Sequence, residues 1–147
     1  MNTKENLAYA LALDCYDKEH FERVILPVAR QFSYRCRPSS MFHKCKHCGE
    51  FDGQFPCTKY DSDAYIVALL RECKLFDEIS SLFGINIASE IAKQYTFLNF
   101  QKQVRLISEN GSPTAKRVKL ADLRHRITLE PENADQYNEA IAVLEVA

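Results

Sequence analysis

The chain has 147 residues, of which 46% are hydrophobic and 27% are charged, and its 19 Lys and Arg residues nearly balance 20 Asp and Glu residues. This length predicts one domain, and the apolar fraction excludes an intrinsically disordered protein. A net charge of −1 argues against general coating of nucleic acid. No apolar run approaches the roughly 20 residues of a bilayer span, and the N-terminus does not resemble a signal peptide. We therefore expect a cytoplasmic single-domain protein without a membrane segment.

Apolar residues recur at helical spacing along most of the chain. The stripe from Phe21 to Phe32 is the most regular, and Pro27 inside it predicts either a helix that restarts or a kink. The segment from Leu7 to Leu13 alternates like a strand, but its alanines favour a helix, and no partner strand is evident. Further stripes are predicted over 65–73, 75–83, 87–91, 97–107, 120–127 and 137–144.

Capping and stop residues separate these stripes. Asp61 and Ser62 are candidate N-caps for the stripe that follows them, and Asn86 is a candidate for a later one. Gly84 is expected to end a helix, and the clearest break in the chain is the run 110–113. The sequence therefore predicts an all-α bundle, interrupted by one non-helical insert over residues 33–60.

Four of the six cysteines lie in this insert, which is the distribution of a metal site. The run Cys45-x-x-Cys48-Gly49 has the form of a zinc knuckle, and Cys36 and Cys57 flank it. His43 or His47 is an alternative ligand in place of an outer cysteine. Four thiolates leave zinc no open position, so the predicted zinc is structural. A redox pair and chance clustering remain the alternatives, whereas Cys15 and Cys73 are interpreted as small buried hydrophobes.

Residues 115–126 form a second region rich in basic side chains. Lys119, Asp122 and Arg126 share one helical face, for which a solvated charge ladder is the simplest interpretation. A nuclear-import signal at 116–120 is disfavoured, because Val118 and Leu120 are expected to be buried. His20 is expected to be a solvated side chain.

A family resemblance begins in this region. The run Val118–His125 resembles the late motif of the HD-domain phosphohydrolases, in particular those that hydrolyse guanosine tetraphosphate (ppGpp). Shorter pieces resemble other segments of that family in the expected order: Ala8–Ala12, Pro27–Ala29, Asp63–Leu70 and Phe83–Ala88. The resemblance covers about 6–127 without the cysteine insert, and it implies a compact HD-like helical bundle.

The chain departs from this family at the metal ligands. The family's His, His-Asp and Asp ligands bind one divalent ion, which activates water for attack on phosphorus. The resemblance places Tyr16 at the first histidine, Leu26 at the histidine before proline, and Arg71-Glu72 at the His-Asp pair. Only Asp122 retains its family identity. Because Arg71 would repel a divalent ion by several kcal/mol at an effective dielectric constant of about 20, the resemblance implies an inactive site, with Asp122 and Glu72 as the remaining catalytic candidates.

A site that has lost its metal can still bind a ligand. Arg71, Lys119 and Arg124 are candidates for binding a phosphorylated small molecule, and an ion pair between Arg71 and Asp122 is the competing interpretation. We therefore expect a binding or regulatory protein whose partner is a protein or a phosphorylated ligand. The alternatives are an active metal-dependent phosphohydrolase that uses Asp122, Glu72 and His125, and a zinc-dependent nucleic-acid-binding regulator.

Overall fold

The computed structural model describes residues 2–33, 61–94 and 100–146, and within these ranges the regular secondary structure is entirely helical. The all-α prediction is therefore confirmed for this part of the chain. The elements are α1 (Thr3–Cys15), α2 (Lys18–His20), a π-helical turn (Phe21–Ile25), α3 (Leu26–Arg30), α4 (Ser62–Leu70), α5 (Phe76–Phe83), α6 (Ile85–Gln94), α7 (Phe100–Asn110), α8 (Pro113–Leu129), a 3₁₀ turn (Pro131–Asn133) and α9 (Ala134–Val146).

The ambiguous first segment is a helix, as expected. Its N-terminus is a capping box, in which the Asn2 side chain accepts a hydrogen bond from the Glu5 backbone N–H and the Glu5 carboxylate accepts one from Asn2. Ala8 and Ala12 are completely buried. These small side chains let α1 approach α4 closely, so the alanines that favoured a helix also form its packing face.

Helix α4 is the centre of the fold. The Asp61 carboxylate caps it by accepting a hydrogen bond from the Ala64 N–H at 3.1 Å, as predicted. Every residue from Ala64 to Leu70 is buried, which is expected of a helix surrounded by other helices. Helices α1, α3, α6 and α8 pack around it and complete the larger apolar core.

The chain accommodates Pro27 without leaving the helical path. The Leu26 N–H donates to the carbonyl of Phe21, five residues earlier, which defines the π-helical turn. Pro27 then lies in the first turn of α3, where its missing N–H is tolerated. In a regular α-helix the N–H of residue 27 would donate to the Arg23 carbonyl, so proline leaves that carbonyl available to another donor.

Helices α5 and α6 meet at Gly84, whose φ of 95° ends α5 as predicted. Helix α6 begins at the next residue, so Asn86 lies inside it and is not its N-cap. The apolar stripe of α5 is only partly inward: Ile79 and Phe83 are buried, whereas Leu82 and Leu75, which precedes the helix, are exposed.

Helices α7, α8 and α9 enclose a second, smaller apolar cluster. Ser112 caps α8 by accepting a hydrogen bond from the Ala115 N–H, and Pro113 occupies its first turn. Tyr137 and Leu144 of α9 point into this cluster, as the stripe predicted. Helix α7 begins at Phe100, and residue 97 lies outside the described ranges.

The ends of the cysteine-rich segment lie next to each other. The Asp61 N–H donates to the Phe32 carbonyl at 2.9 Å, so the chain leaves and re-enters the bundle at one place. Arg117 of α8 holds both ends, because its guanidinium is 2.5 Å from the Asp61 carboxylate and lies over the Phe32 ring. The predicted zinc ligands Cys36, Cys45, Cys48 and Cys57, with the alternates His43 and His47, lie outside the described residues.

The described part of the chain contains neither a membrane-spanning helix nor a cluster of metal-binding side chains. Within 2–33, 61–94 and 100–146, every helix is too short or too polar to cross a bilayer. The same ranges contain no group of three or more His, Cys, Asp or Glu side chains arranged to bind a metal ion.

Candidate functional site

The fold brings together four positions that the family resemblance singled out. Tyr16 follows α1, Arg71 and Glu72 follow α4, and Asp122 lies in α8. The Tyr16 hydroxyl accepts a hydrogen bond from the Glu72 N–H at 3.2 Å, and Arg71 Nη2 donates to Asp122 Oδ1 at 3.2 Å. Because these partners are 56 and 51 positions apart in sequence, only helix packing unites them.

The Arg71 guanidinium is fully enclosed at the centre of this site, with 2% of the residue exposed. Besides Asp122, it donates to the carbonyls of Ala68 at 2.7 Å, Val24 at 2.8 Å and Ile25 at 3.4 Å. Two of these carbonyls belong to the π-helical turn that precedes Pro27. The ion pair between Arg71 and Asp122 was the interpretation that competed with ligand binding, and the structure contains it.

Asp122 is surrounded by three cations. Besides Arg71, Arg126 Nε lies 3.2 Å from Oδ1 and Lys119 Nζ lies 3.7 Å from Oδ2. Burial alone would raise the pKa of Asp122, but the charges of Arg71, Lys119 and Arg126 outweigh it and lower this pKa to about 2. The carboxylate is therefore charged at neutral pH.

The two outer cations of this cluster are Lys119 and Arg126. Burial lowers the pKa of Lys119 despite the attraction of Asp122, and its ammonium donates to Gln103 Oε1 at 2.9 Å. Arg126 lies 3.4 Å from Glu72 as well. Burial alone would lower the pKa of Arg126, but Asp122 and Glu72 together raise it. The interpretation of a solvated charge ladder on α8 is therefore wrong for Lys119 and Asp122, which are buried in an ion network, whereas Arg126 is partly exposed.

Two histidine side chains at this site form polar contacts with partners that are distant in the sequence. His20 Nε2 lies 3.0 Å from Glu72 Oε1, so this histidine, which was expected to be solvated, is partly exposed and paired with a carboxylate. His125 Nε2 donates to the Arg23 carbonyl at 2.7 Å, which is the carbonyl that Pro27 leaves without its α-helical donor. Pro27 indicates in the sequence that the Arg23 carbonyl lacks its α-helical donor, but no sequence feature identifies His125 as the replacement.

The predicted grouping of three ligand-binding cations does not form. Arg124 is exposed, and its guanidinium lies 2.5 Å from the Glu145 carboxylate of α9. Arg71 and Lys119 are almost completely buried in the ion network instead. The sequence did contain the relevant signal: Arg124 is two residues after Asp122, a spacing that places the two side chains on opposite sides of a helix.

A groove of about 590 Å³ lies beside the ion network and shares Tyr16 with it. Its aromatic part consists of Tyr9, Tyr16 and Phe21, where Tyr9 and Phe21 meet edge to face with ring centroids 5.4 Å apart. Lys18 and Arg30 contribute positive charge, and Glu22 contributes one carboxylate. Leu13 and Leu26 complete the lining.

Comparison of the chain with protein-family models, with curated proteins and with solved structures found no match.

Proposed function

We propose that this chain is a catalytically inactive relative of the HD-domain phosphohydrolases, which acts as a binding or regulatory protein. The observation that carries this proposal is the convergence of the four positions that the resemblance assigned to metal ligands. Tyr16, Arg71, Glu72 and Asp122 come from three distant segments and are linked by direct hydrogen bonds. A resemblance made of unrelated short matches would not be expected to converge in this way.

The charges at this site disfavour the catalytic alternative. A divalent ion bound by Asp122 would lie within a few ångström of the Arg71 guanidinium, which costs several kcal/mol at an effective dielectric constant of about 20. Asp122 already has three cationic partners, and Glu72 is engaged by His20 and Arg126. His125, the third candidate of the active-enzyme hypothesis, is bound to a backbone carbonyl. The ion network thus takes the place of a metal.

Restoring the family's ligands tests this proposal. We expect the wild-type chain not to hydrolyse guanosine tetraphosphate, with or without added Mn²⁺. The triple variant Tyr16→His, Arg71→His, Glu72→Asp is expected to bind Mn²⁺ in isothermal titration, and adding Asp122→Asn to it should abolish binding. Hydrolysis of guanosine tetraphosphate by the wild-type chain that EDTA stops would overturn the assignment of an inactive site.

The groove is the best candidate for the ligand. Arg71 and Lys119 can reach a phosphate only by leaving Asp122, whereas Lys18 and Arg30 are exposed at the groove. An aromatic surface beside two cations suits a compound that carries both a ring and a phosphate, such as a nucleotide. The volume of about 590 Å³ lies within the range of small-molecule sites.

Titration with a fluorescent guanosine nucleotide tests the groove. We expect Lys18→Ala and Arg30→Ala each to weaken binding about tenfold, because each removes one charge-assisted contact. The matched control is Arg23→Ala, which removes an exposed arginine on the same stretch of helix that does not line the groove. An affinity weaker than millimolar, or equal losses in all three variants, would contradict this part of the proposal.

We also propose that the cysteine-rich segment binds a structural zinc ion through Cys36, Cys45, Cys48 and Cys57. The spacing of the cysteines supports this, and so does the meeting of the segment's ends at Phe32 and Asp61, which suits a small closed insert. Elemental analysis of protein purified without added metal should give one zinc per chain. The variant Cys45→Ser, Cys48→Ser should contain none, whereas zinc retained in that variant would contradict the ligand set.

A protein partner is the second candidate function, and a specific surface favours it. Leu75, Phe76, Leu82 and Ile85 are exposed at the two ends of α5 and the start of α6. Phe76→Asp should abolish co-purification of such a partner while the helical content stays unchanged. The nucleic-acid alternative draws on two basic stretches. In the described one, Arg117, Lys119, Arg124 and Arg126 are paired with carboxylates, whereas the stretch 35–46 lies outside the described residues.

A further inference from the structure

The two cysteines of the described residues are in direct contact. Cys15 is the last residue of α1, Cys73 lies between α4 and α5, and their Sγ atoms are 2.7 Å apart. Cys15 is half-buried and Cys73 is buried. The larger apolar core contains Cys73 and packs against Cys15, so both sulfurs are held in place by surrounding side chains.

We propose that Cys15 and Cys73 are a disulfide-forming pair, which small-molecule disulfides such as oxidised glutathione convert into an intramolecular cross-link. Cys15 is the more accessible thiol, so its thiolate attacks one sulfur of the oxidant. That step releases one molecule of the small thiol and leaves a mixed disulfide on Cys15. The Cys73 thiolate then attacks the Cys15 sulfur and releases the second small thiol. Two protein thiols are oxidised, and one small disulfide is reduced to two thiols.

The surroundings of the pair favour a cross-link that forms slowly and persists. Burial raises the pKa of Cys15 to about 12, with further contributions from Cys73, Asp14 and Glu78. The reactive thiolate is therefore scarce at neutral pH, which slows the first step. For the same reason the reduced form is not stabilised as a thiolate, and a thiol of high pKa is a poor leaving group when the disulfide is attacked.

The cross-link would join two parts of the fold that border the ion network. Tyr16 follows Cys15 directly, and Glu72 precedes Cys73 directly, so the disulfide would reinforce the hydrogen bond from the Glu72 N–H to the Tyr16 hydroxyl. The bond would also close a loop with 58 positions between its ends, which restricts the unfolded chain.

Peptide mapping after oxidation tests the proposal. The whole chain is incubated with oxidised glutathione, its remaining thiols are alkylated, and it is digested with trypsin. Cys15 is released in peptide 5–18 and Cys73 in peptide 72–74. We expect these two peptides to appear joined, and their joined mass to be lighter than the sum of both by two hydrogens. Cross-links confined to the other four cysteines, or a stable glutathione adduct on Cys15 that does not resolve, would overturn the proposal.

Thermal unfolding supplies an independent readout. Oxidation is expected to raise the melting temperature of the wild-type chain by about 10 °C, and reduction with dithiothreitol should reverse the rise. The control variant Cys73→Ala should melt at the same temperature before and after oxidation. Equal rises in the wild type and the variant would show that other cysteines are responsible, and would overturn the assignment.

Discussion

Replacing Arg71 by methionine is expected to be the most damaging single change to the ion network. Methionine keeps much of the length of the side chain and removes the charge. It leaves the buried Asp122 carboxylate with only one of the two guanidinium groups that lie 3.2 Å from Oδ1, and it leaves the carbonyls of Ala68 and Val24 without the donor that now reaches each within 2.8 Å. The attraction of unit charges 3.2 Å apart is about 5 kcal/mol at an effective dielectric constant of about 20, and desolvation of both groups opposes it.

Removing one partner of a buried pair usually costs about 3–5 kcal/mol. For Arg71→Met we expect the free energy of unfolding to fall by about 4 kcal/mol, in the middle of this range, because Arg126 and Lys119 still neutralise part of the Asp122 charge. The measurement is urea unfolding at pH 7, followed by far-ultraviolet circular dichroism. The slope of the free energy of unfolding against urea concentration should stay unchanged, while the urea concentration at the midpoint of unfolding falls.

An exposed ion pair, formed by an arginine of α8 with a carboxylate of α9, provides the control. Arg124 and Glu145 also form an ion pair, but both side chains are more than half exposed. Arg124→Met is therefore expected to lower the free energy of unfolding by less than about 0.5 kcal/mol. If Arg71→Met costs no more than Arg124→Met, the central role assigned to the buried pair is refuted.

Three further predictions concern stability. Folding lowers the pKa of Asp122 from 3.8 to about 2, so the charged carboxylate adds about 2 kcal/mol to the free energy of unfolding above pH 3.8. This contribution is lost as the pH falls towards 2. When the free energy of unfolding is measured against pH in acid, Asp122→Asn should lack this part of the dependence. Gly84→Ala should lower the free energy of unfolding in urea by about 1–3 kcal/mol, because alanine is strained at the φ of 95° that Gly84 adopts. An unchanged free energy of unfolding would contradict this strain. Asn2→Ala, which removes the α1 cap, should cost about 1 kcal/mol in the same assay, whereas Asn2→Asp should cost little.

Local sequence patterns predicted the helices because the interactions that start and stop a helix are local. Asp61 and Ser112 cap α4 and α8 through N–H groups three residues away, and Gly84 ends α5 through its own backbone conformation. The prediction of an N-cap at Asn86 was wrong because the turn at Gly84 lets α6 start at Ile85, two residues before the helix that such a cap would begin. In each case the deciding contacts span a few residues.

The site was predictable only where charge or resemblance linked distant positions. Opposite charges at two positions that the resemblance assigns to metal ligands suggested the pairing of Arg71 with Asp122. No local pattern relates His20 to Glu72 or Cys15 to Cys73, since those partners are 52 and 58 positions apart. Their contacts exist because α1 and the turn after it pack against the end of α4.

The sequence by itself determined where the described parts of the chain are helical and which faces of most helices are apolar, and its resemblance to the HD-domain phosphohydrolases placed an arginine at an expected metal-ligand position. The tertiary structure alone decided that this arginine is enclosed by carbonyls of the π-helical turn and that two cysteines touch. The physical reason is the distance along the chain over which the interactions act. Helix formation depends on neighbours within about one turn, whereas side-chain burial and pairing depend on which helices pack together.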